Sequence, residues 1–281
     1  MPRYTKDDVE ILIATMERAE LSFLESIFCK PLEEINHNLL IVNQSKTKKL
    51  SSQHDHIRVV NDVNFGLSRS RNQALKNAIK PIVWILDDDC EVVEGATDKI
   101  AASHSKYPET ILTFQTIRRN DAEPFWNYPI HSKILGKRLL KKVLSPEITC
   151  KIESFRDKEL DFDLRFGLGA QFQDSENYIF FEDALRCELN VRFIPKNIVI
   201  HDPHTSSDEA SSDRLIYARG ALAARQGLIK ASYLNYKYTF FLWRKGLVKG
   251  FKALFDKHKT FERGANDYWS GFEGHRIKQE K

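Results

Sequence analysis

The chain has 281 residues, 42% hydrophobic and 29% charged, the composition of a globular protein with one large domain or two small ones. A formal net charge of +4 is too small to indicate nucleic-acid binding, so we expect no nucleic-acid partner. The four cysteines are scattered without a Cys-x-x-Cys pair, which indicates neither a zinc site nor a disulfide framework and favours a reducing, cytoplasmic compartment. The first residues carry no apolar signal core, and no stretch has the roughly 18 apolar residues of a membrane span.

The first hundred residues predict strands that alternate with helices. The predicted strands are residues 9–15, 38–42, 57–60 and 81–86, and the predicted helices are residues 21–28, 67–79 and 97–105. This alternation is typical of an α/β fold with a mostly parallel, doubly wound sheet. Because ligands of such sheets bind beyond the carboxyl ends of the strands, we expect the polar residues 15–18, 43–45 and 87–89 to converge on one crevice.

Three consecutive acids, Asp87, Asp88 and Asp89, follow an apolar strand directly. Like charges held this close repel, and a divalent cation is an effective way to keep them ionised. Carboxylates with Mg²⁺ or Mn²⁺ also suit a diphosphate, because these ions prefer oxygen ligands and bridge phosphate oxygens. Taken alone, the triplet is equally compatible with an acidic turn after a strand.

A glycine turn opens the predicted helix after the third strand. Gly66 precedes Arg69 and Arg71, and both a helix N-terminus and guanidinium groups attract phosphate. The chain has no G-x-x-x-x-G-K-[ST] motif and no G-x-G-x-x-G after the first strand, which argues against P-loop chemistry and a nicotinamide dinucleotide. A diphosphate ligand without a P-loop indicates a nucleotide-sugar.

The ordered set of motifs resembles glycosyltransferase family 2, inverting enzymes of bacterial surface and capsular polysaccharide synthesis. Residues 64–74, Asn-Phe-Gly-Leu-Ser-Arg-Ser-Arg-Asn-Gln-Ala, resemble the family pattern N-x-G-L-S-x-A-R-N-x-A, and residues 87–89 stand at its DxD motif. A later block from residue 166 to residue 201 resembles FGxGA…GEDxxF…DxL…P…VxH. The resemblance covers about residues 9–204 and implies the GT-A fold, a Rossmann-like, mostly parallel sheet flanked by helices.

The resemblance assigns the metal and diphosphate site. It implies that Asp89 and Asp87 hold Mn²⁺ or Mg²⁺ with the donor diphosphate, Asp89 being the more direct ligand. Asp88 is expected to point towards the ribose or a backbone amide. His201 is a candidate third ligand, since neutral imidazole binds Mn²⁺ well, and His204 is a substitute for it. A surface histidine is the alternative reading of His201.

The resemblance also assigns the nucleotide site. Thr15, Arg18 and Asn43 would surround the base and ribose of the nucleotide-sugar, and Arg71 would pair with phosphate or with the acids. Strand-end capping is the alternative for Thr15 and Asn43, and a structural salt bridge is the alternative for Arg71.

The general base has two candidates. Inverting transfer needs a carboxylate that takes the proton of the acceptor hydroxyl. The family supplies it from an acidic Glu-Asp pair at a helix start, which aligns with Glu176 and Asn177. Asn177 departs from the pattern, because an amide cannot act as a base. Glu176 is therefore the first candidate, and Asp183, which follows Glu182, is the second.

The predicted organisation has a GT-A domain and a helical extension. Residues 1–210 form the catalytic domain, with a nucleotide-sugar half at about 1–110 and an acceptor half at about 111–210. Residues 211–281 form a C-terminal helical extension rich in basic and aromatic residues.

Two stretches mix aromatic and basic residues. Residues 116–153 are either an acceptor site, since aromatic faces stack on sugars, or a packed linker. Residues 233–257 suit an anionic membrane surface, or they pack their aromatic side chains on the catalytic domain.

The sequence therefore predicts a metal-dependent inverting glycosyltransferase for hexosyl or hexosaminyl transfer. It would use a UDP-sugar as the donor and a hydroxyl of a glycan or lipid-linked molecule as the acceptor. The expected location is the cytoplasm, with a peripheral contact at the inner face of the cytoplasmic membrane. The alternatives are a catalytically impaired relative that only binds the nucleotide-sugar, which Asn177 favours, and a sugar nucleotidyltransferase.

Overall fold

The computed structural model describes residues 2–203 and 210–279, with side chains described as far as residue 271. The chain divides into two compact units. The first comprises Met1–Asp163 and Asn177–Pro203, and the second comprises Leu164–Glu176 and His204–Lys281. Residues 164–176, expected in the acceptor half, thus group with the C-terminal helices. The predicted domain boundary at residue 210 stays a prediction.

The described elements alternate between strands and helices in the first unit and are helical after residue 210. The strands are β1 Val9–Met16, β2 Asn38–Gln44, β3 Ile57–Asp62, β4 Ile82–Asp87, β5 Glu91–Val92, β6 Ile111–Arg118, β7 Lys133–Ile134, β8 Ile148–Lys151 and β9 Val191–His201. The helices are α1 Phe23–Phe28, α2 Leu67–Asn77, α3 Ala96–Lys106, α4 Lys137–Leu140, α5 Ile152–Asp157, α6 Glu176–Arg186, α7 Asp213–Ala224, α8 Leu228–Arg244 and α9 Phe251–Gln279.

Among the described residues, the strands form one sheet in the order β3-β2-β1-β4-β8-β6-β9-β5, and β7 pairs with β9. Strands β3, β2, β1 and β4 are parallel, as the strand–helix alternation predicts. Strand β8 is antiparallel to both β4 and β6, whereas β6 and β9 are parallel. The α/β prediction is confirmed, and β8 makes the second half of the sheet mixed.

The central strands are buried on both faces, which explains their continuous apolar sequences. On one face, Ile11, Ile41 and Trp84 pack with Ile27 of α1 and Ile100 of α3. Each of these five side chains is fully buried. Burial of an aliphatic side chain of this size contributes about 1.5–3 kcal/mol, so this layer holds the strands that carry the site.

The second unit is built from α7, α8, α9 and residues 164–176. Helices α7 and α9 approach closely because two glycines face the neighbouring backbone. A Cβ atom on Gly220 would lie 2.0 Å from the carbonyl oxygen of Phe261, and one on Gly264 would lie 2.0 Å from that of Tyr217. The Phe172 ring packs against Tyr217 with centroids 5.2 Å apart. Over the described part of the chain, no helix combines the length and apolar composition needed to cross a membrane.

Candidate active site

The carboxyl ends of β1, β2 and β4 bring three predicted polar clusters together. The strand register places Thr15 beside Asn43 and the end of β1 beside Asp87. Thr15 Oγ1 donates to Asp88 Oδ2 at 2.5 Å, which joins the first cluster to the acidic triplet. The backbone amide of Arg18 donates to Asn43 Oδ1 at 3.1 Å, which joins the first cluster to the second. The three clusters therefore lie at one edge of the sheet, as a parallel arrangement requires.

Asp88 is neutralised by its neighbours within the protein. Arg18 Nη2 donates to Asp88 Oδ2 at 3.0 Å, and Arg18 Nε donates to Thr15 Oγ1 at 3.2 Å. The guanidinium also lies 4.9 Å from the centre of the Phe23 ring. These contacts fix the turn after β1, and the expected contact of Asp88 with a ribose stays a prediction.

The polar atoms of the buried Asn43 side chain form hydrogen bonds with neighbouring residues of the protein. Its Nδ2 donates to the carbonyl oxygen of Arg18 at 3.0 Å and to Asn61 Oδ1 at 3.2 Å. These bonds favour the strand-end capping role that the sequence leaves open. The assignment of Asn43 to the nucleotide stays a prediction.

Arg71, in the middle of α2, connects the acidic triplet to α6. Its side chain is 2% exposed, and Nη2 donates to Asp87 Oδ1 at 3.0 Å and to Ser145 Oγ at 2.6 Å. Its Nη1 donates to Asn177 Oδ1 at 3.1 Å. The structural salt bridge that the sequence left open as an alternative role for Arg71 is therefore present, and it engages one carboxylate oxygen of Asp87.

Asp89, Cys90 and His201 form a cluster of potential metal ligands, in which the donor atoms all lie within 4.8 Å of one another. His201 Nε2 lies 3.6 Å from Asp89 Oδ1, and Asp89 is 68% exposed at its side chain. A carboxylate and an imidazole are ligands that suit Mn²⁺. Asp87, expected as a ligand as well, accepts from Arg71 through one carboxylate oxygen, and its assignment to the metal stays a prediction. His204 lies outside the described residues.

The electrostatics of the cluster favour a charged pair when no metal is bound. The neighbouring Asp89 carboxylate raises the pKa of His201 to about 8, while the imidazole holds the pKa of Asp89 below its usual value. Burial and the neighbouring carboxylates raise the pKa of the Cys90 thiol, so the thiol stays protonated at neutral pH. His201 Nδ1 lies 2.6 Å from the carbonyl oxygen of Asp202. A proton on Nδ1 would satisfy that carbonyl and leave Nε2 free to bind a metal beside Asp89.

Comparisons with known proteins identify the family and the fold of this chain. The family model for glycosyl transferase family 2 matches residues 4–156, more than half of the chain. The chain belongs to glycosyl transferase family 2. No curated protein matches the chain as a sequence relative.

Solved structures of a Staphylococcus enzyme share the fold of this glycosyltransferase. S. aureus TarS 1-349 superposes with a TM-score of 0.55 at 14% identity, covering 92% of this chain and 80% of that one. The same fragment in complex with UDP gives a TM-score of 0.52 at 14% identity, covering 96% and 91%. At this identity the likeness establishes the fold, and the GT-A prediction is confirmed.

Helix α6 of the glycosyltransferase carries both candidate bases. Asp183 accepts a hydrogen bond from Arg186 Nη1, one turn along the helix, at 2.8 Å. Glu176 is the first residue of α6, and the residue before it, Ser175, has a positive φ of 72°. The Asp183 contact fits a helix-face role, and the choice of Glu176 stays a prediction.

Three residues of the glycosyltransferase were assigned no role at the sequence level. Cys90 joins the metal-ligand cluster, and Ser145 bridges Arg71 and Asn177, since Asn177 Nδ2 donates to Ser145 Oγ at 3.0 Å. Glu147 is fully buried and accepts hydrogen bonds from Tyr128 and other donors. Ser145 and Glu147 lie in a short 3₁₀ turn whose sequence carries no motif, so only the fold could find them.

Proposed function

We propose that this family 2 glycosyltransferase transfers a hexosyl or hexosaminyl residue, with inversion, from a UDP-sugar to a hydroxyl of a glycan or lipid-linked glycan. The observation that carries the proposal is the Asp89–His201 pair, with its 3.6 Å separation, at the carboxyl edge of the sheet. Uracil is the proposed base because a structure of similar fold, S. aureus TarS 1-349, is a complex with UDP.

The metal site of the proposal consists of Asp89 and His201. A bound Mn²⁺ or Mg²⁺ would supply positive charge to the leaving diphosphate. Asp89 provides a carboxylate oxygen, and His201 provides Nε2 once its proton has left. Asp87, fixed by Arg71, keeps a further negative charge at the same edge.

The acceptor hydroxyl attacks the anomeric carbon as the bond to the diphosphate oxygen breaks. In our proposal, Glu176 takes the hydroxyl proton, and the electron pair of the broken bond leaves on the nucleoside diphosphate. Asp183 is the alternative base. Asn177 binds Arg71 and Ser145 through its amide, which assigns it a positioning role.

The proposed location is the cytoplasm, in keeping with four free cysteines, none of them bridged among the described residues. A lipid-linked acceptor would bring the enzyme to the inner face of the cytoplasmic membrane, through residues 233–257.

A binding panel followed by a turnover assay tests the proposal. Thermal unfolding with UDP, GDP, CDP and dTDP, each with and without Mn²⁺, should give the largest upward shift in Tm for UDP with Mn²⁺, because a ligand stabilises the folded state by mass action. UDP-sugar hydrolysis or transfer should then require Mn²⁺ and Glu176.

A second candidate function is a relative that binds the nucleotide-sugar without turnover, which the amide at Asn177 favours. UDP binding with no detectable hydrolysis or transfer, unaffected by Glu176→Ala, would establish it and overturn the enzyme proposal. Release of pyrophosphate from a nucleoside triphosphate and a sugar phosphate would instead identify a nucleotidyltransferase.

A further inference from the structure

Helix α8 presents a row of exposed apolar side chains. We call this row the aromatic stripe, which comprises Ile229, Tyr233, Tyr236, Phe240 and Trp243. Each of these side chains is more than half exposed, and Ile229 is 91% exposed. At about 100° per residue, the five positions fall within about 80° of the helix circumference, so they form one face.

The opposite side of α8 is already used for packing. Its buried residues are Ala231, Asn235 and Leu242, which lie across the helix from the aromatic stripe. Helix α8 therefore has one side that is buried within its own unit and an opposite side whose apolar residues are exposed. Two further phenylalanines at the start of α9 are also exposed, Phe251 at 93% and Phe255 at 57%. An exposed apolar surface of this extent marks an interaction site.

The chain segment that carries the aromatic stripe has charged side chains of a single sign. Residues 228–255 contain six basic residues, and neither aspartate nor glutamate occurs in that interval. The basic residues are Lys230, Lys237, Arg244, Lys245, Lys249 and Lys252. The basic residues on α8 lie along one edge of the aromatic stripe, at angles of about 60–100° around the helix axis from Ile229. The segment thus combines aromatic rings with an excess of positive charge.

We propose that the aromatic stripe docks on an anionic lipid bilayer, with α8 lying in the plane of the interface. Tryptophan and tyrosine rings favour the headgroup level, where one end of the ring is apolar and the other meets water. The basic edge would contact anionic headgroups, and the lysine stems would lie along the apolar surface. Membrane docking rests on the proposed function in one respect, because a lipid-linked acceptor would require the enzyme to work at a membrane.

Charge distinguishes the bilayer from a second copy of the chain. An interface between two aromatic stripes would bring both sets of six cations together without an acid in either interval. Like charges at that distance repel, whereas an anionic bilayer compensates them.

Co-sedimentation of the full chain with lipid vesicles, in the absence of nucleotide, tests the proposal. We expect binding to vesicles that contain phosphatidylglycerol, little binding to pure phosphatidylcholine, and release by salt, which screens the charges. The triple variant Lys230→Glu, Lys237→Glu, Arg244→Glu should lower the partition coefficient roughly 100-fold or more, as expected for three cations near the surface. The triple variant Tyr233→Ser, Phe240→Ser, Trp243→Ser should abolish binding.

Matched controls separate the stripe from general surface effects. Charge reversal at the exposed Lys30, Lys158 and Lys196, and serine at the exposed Ile79 and Leu164, should leave vesicle binding within about twofold, since these residues lie outside residues 228–255. Circular dichroism and Tm confirm that each variant is folded. Quenching of Trp243 fluorescence by brominated lipid, lost in Trp243→Phe, supports insertion of the stripe.

Two results would overturn the proposal. In the first, the folded wild type binds anionic and neutral vesicles equally well, or binds neither. The other is a wild-type dimer in sedimentation velocity that the serine variant dissociates, which would assign the stripe to self-association. UDP-sugar hydrolysis measured without vesicles should be the same in the stripe variants and the wild type. Loss of hydrolysis in the wild type itself would contradict the proposed function, and leave the membrane result standing.

Discussion

Arg71 donates a hydrogen bond from Nη1 to the side-chain oxygen of Asn177, across 106 residues of sequence, at 3.1 Å. The same guanidinium holds Asp87, so the acidic triplet and the start of α6 share one buried cation. In the motif resemblance, Asn177 aligns with a position where the family often carries an aspartate. The amide therefore accepts the bond that a carboxylate would accept, without adding a negative charge beside Asp87.

The first prediction concerns this amide. Asn177→Asp should fold, because the new carboxylate meets the Arg71 guanidinium, and should change the free energy of unfolding by about 1 kcal/mol or less. Asn177→Leu should cost roughly 1–3 kcal/mol, since Arg71 and Ser145 lose a buried partner. Urea denaturation compares the variants. If Glu176 is the base, Asn177→Asp should change kcat less than roughly tenfold, whereas a much larger gain would favour the impaired-relative reading.

The second prediction separates the two carboxylates of α6. Glu176→Gln should lower kcat by roughly 10²–10⁴-fold, the usual contribution of a general base, with UDP affinity unchanged. Asp183→Asn is the matched control on the same helix and should stay within a few-fold of wild type, because Asp183 pairs with Arg186. The reverse pattern in steady-state kinetics would assign the base to Asp183.

The third prediction concerns the pH dependence of metal binding. In the proposed metal site, only the neutral imidazole of His201 can bind Mn²⁺, and the pKa of this imidazole is raised to about 8 by Asp89. Mn²⁺ affinity should therefore rise by up to about tenfold per pH unit towards pH 8 and level off above it. Without metal, the Asp89–His201 pair should stabilise the fold below about pH 6.5 and lose that contribution as pH rises through 8.

Two variants check the origin of this pH dependence. Asp89→Asn should return the pKa of His201 towards its ordinary value and also weaken Mn²⁺ binding, whereas His201→Gln should remove the pH dependence. Electron paramagnetic resonance of free Mn²⁺ and NMR titration of the imidazole measure the two effects. An Mn²⁺ affinity that is flat between pH 6 and pH 8 in the wild type would contradict His201 as a ligand.

The fourth prediction concerns the buried acid Glu147. Burial raises its pKa to about 8, against the hydrogen bonds from Tyr128 and Thr116 that lower it. Because the folded state holds this proton more tightly than the unfolded state, stability should fall as pH rises from about 4.5 to 8, by at most about 1.4 kcal/mol per unit from this group. Glu147→Gln should flatten that slope in urea denaturation. Tyr128→Phe should keep the slope while losing about 1 kcal/mol for one hydrogen bond.

The fifth prediction uses two glycines of α9. Gly264→Ala should destabilise the second unit by about 1–3 kcal/mol, because the added methyl would meet the Tyr217 carbonyl. Gly271→Ala, where nothing lies within 4 Å, is the control and should stabilise the helix by about 0.5–1 kcal/mol. Thermal unfolding measures both. Equal effects of the two substitutions would show that the close approach of α7 and α9 is absent.

The meeting of Thr15, Asn43 and Asp88 at one edge could be predicted because strand–helix alternation implies parallel strands, and parallel strands end on the same side. The antiparallel strand β8 could not be predicted, since Ile148–Lys151 is short and carries no periodic pattern. The sequence also did not decide whether the aromatic residues of α8 are exposed. Aromatic residues have the same helical spacing whether they pack inside the protein or face an external partner.

The chain's own sequence determined the family, the α/β fold and the order of the acidic and basic motifs, because these depend on residues close together in the chain. Only the tertiary structure decided which partner each polar side chain has. Arg71 could have met phosphate, acid or amide, and the packing of α2 against Ser145 and α6 selects Asp87 and Asn177. A buried charge takes the partners that its surroundings bring within hydrogen-bond distance, and that distance is set by the whole sheet.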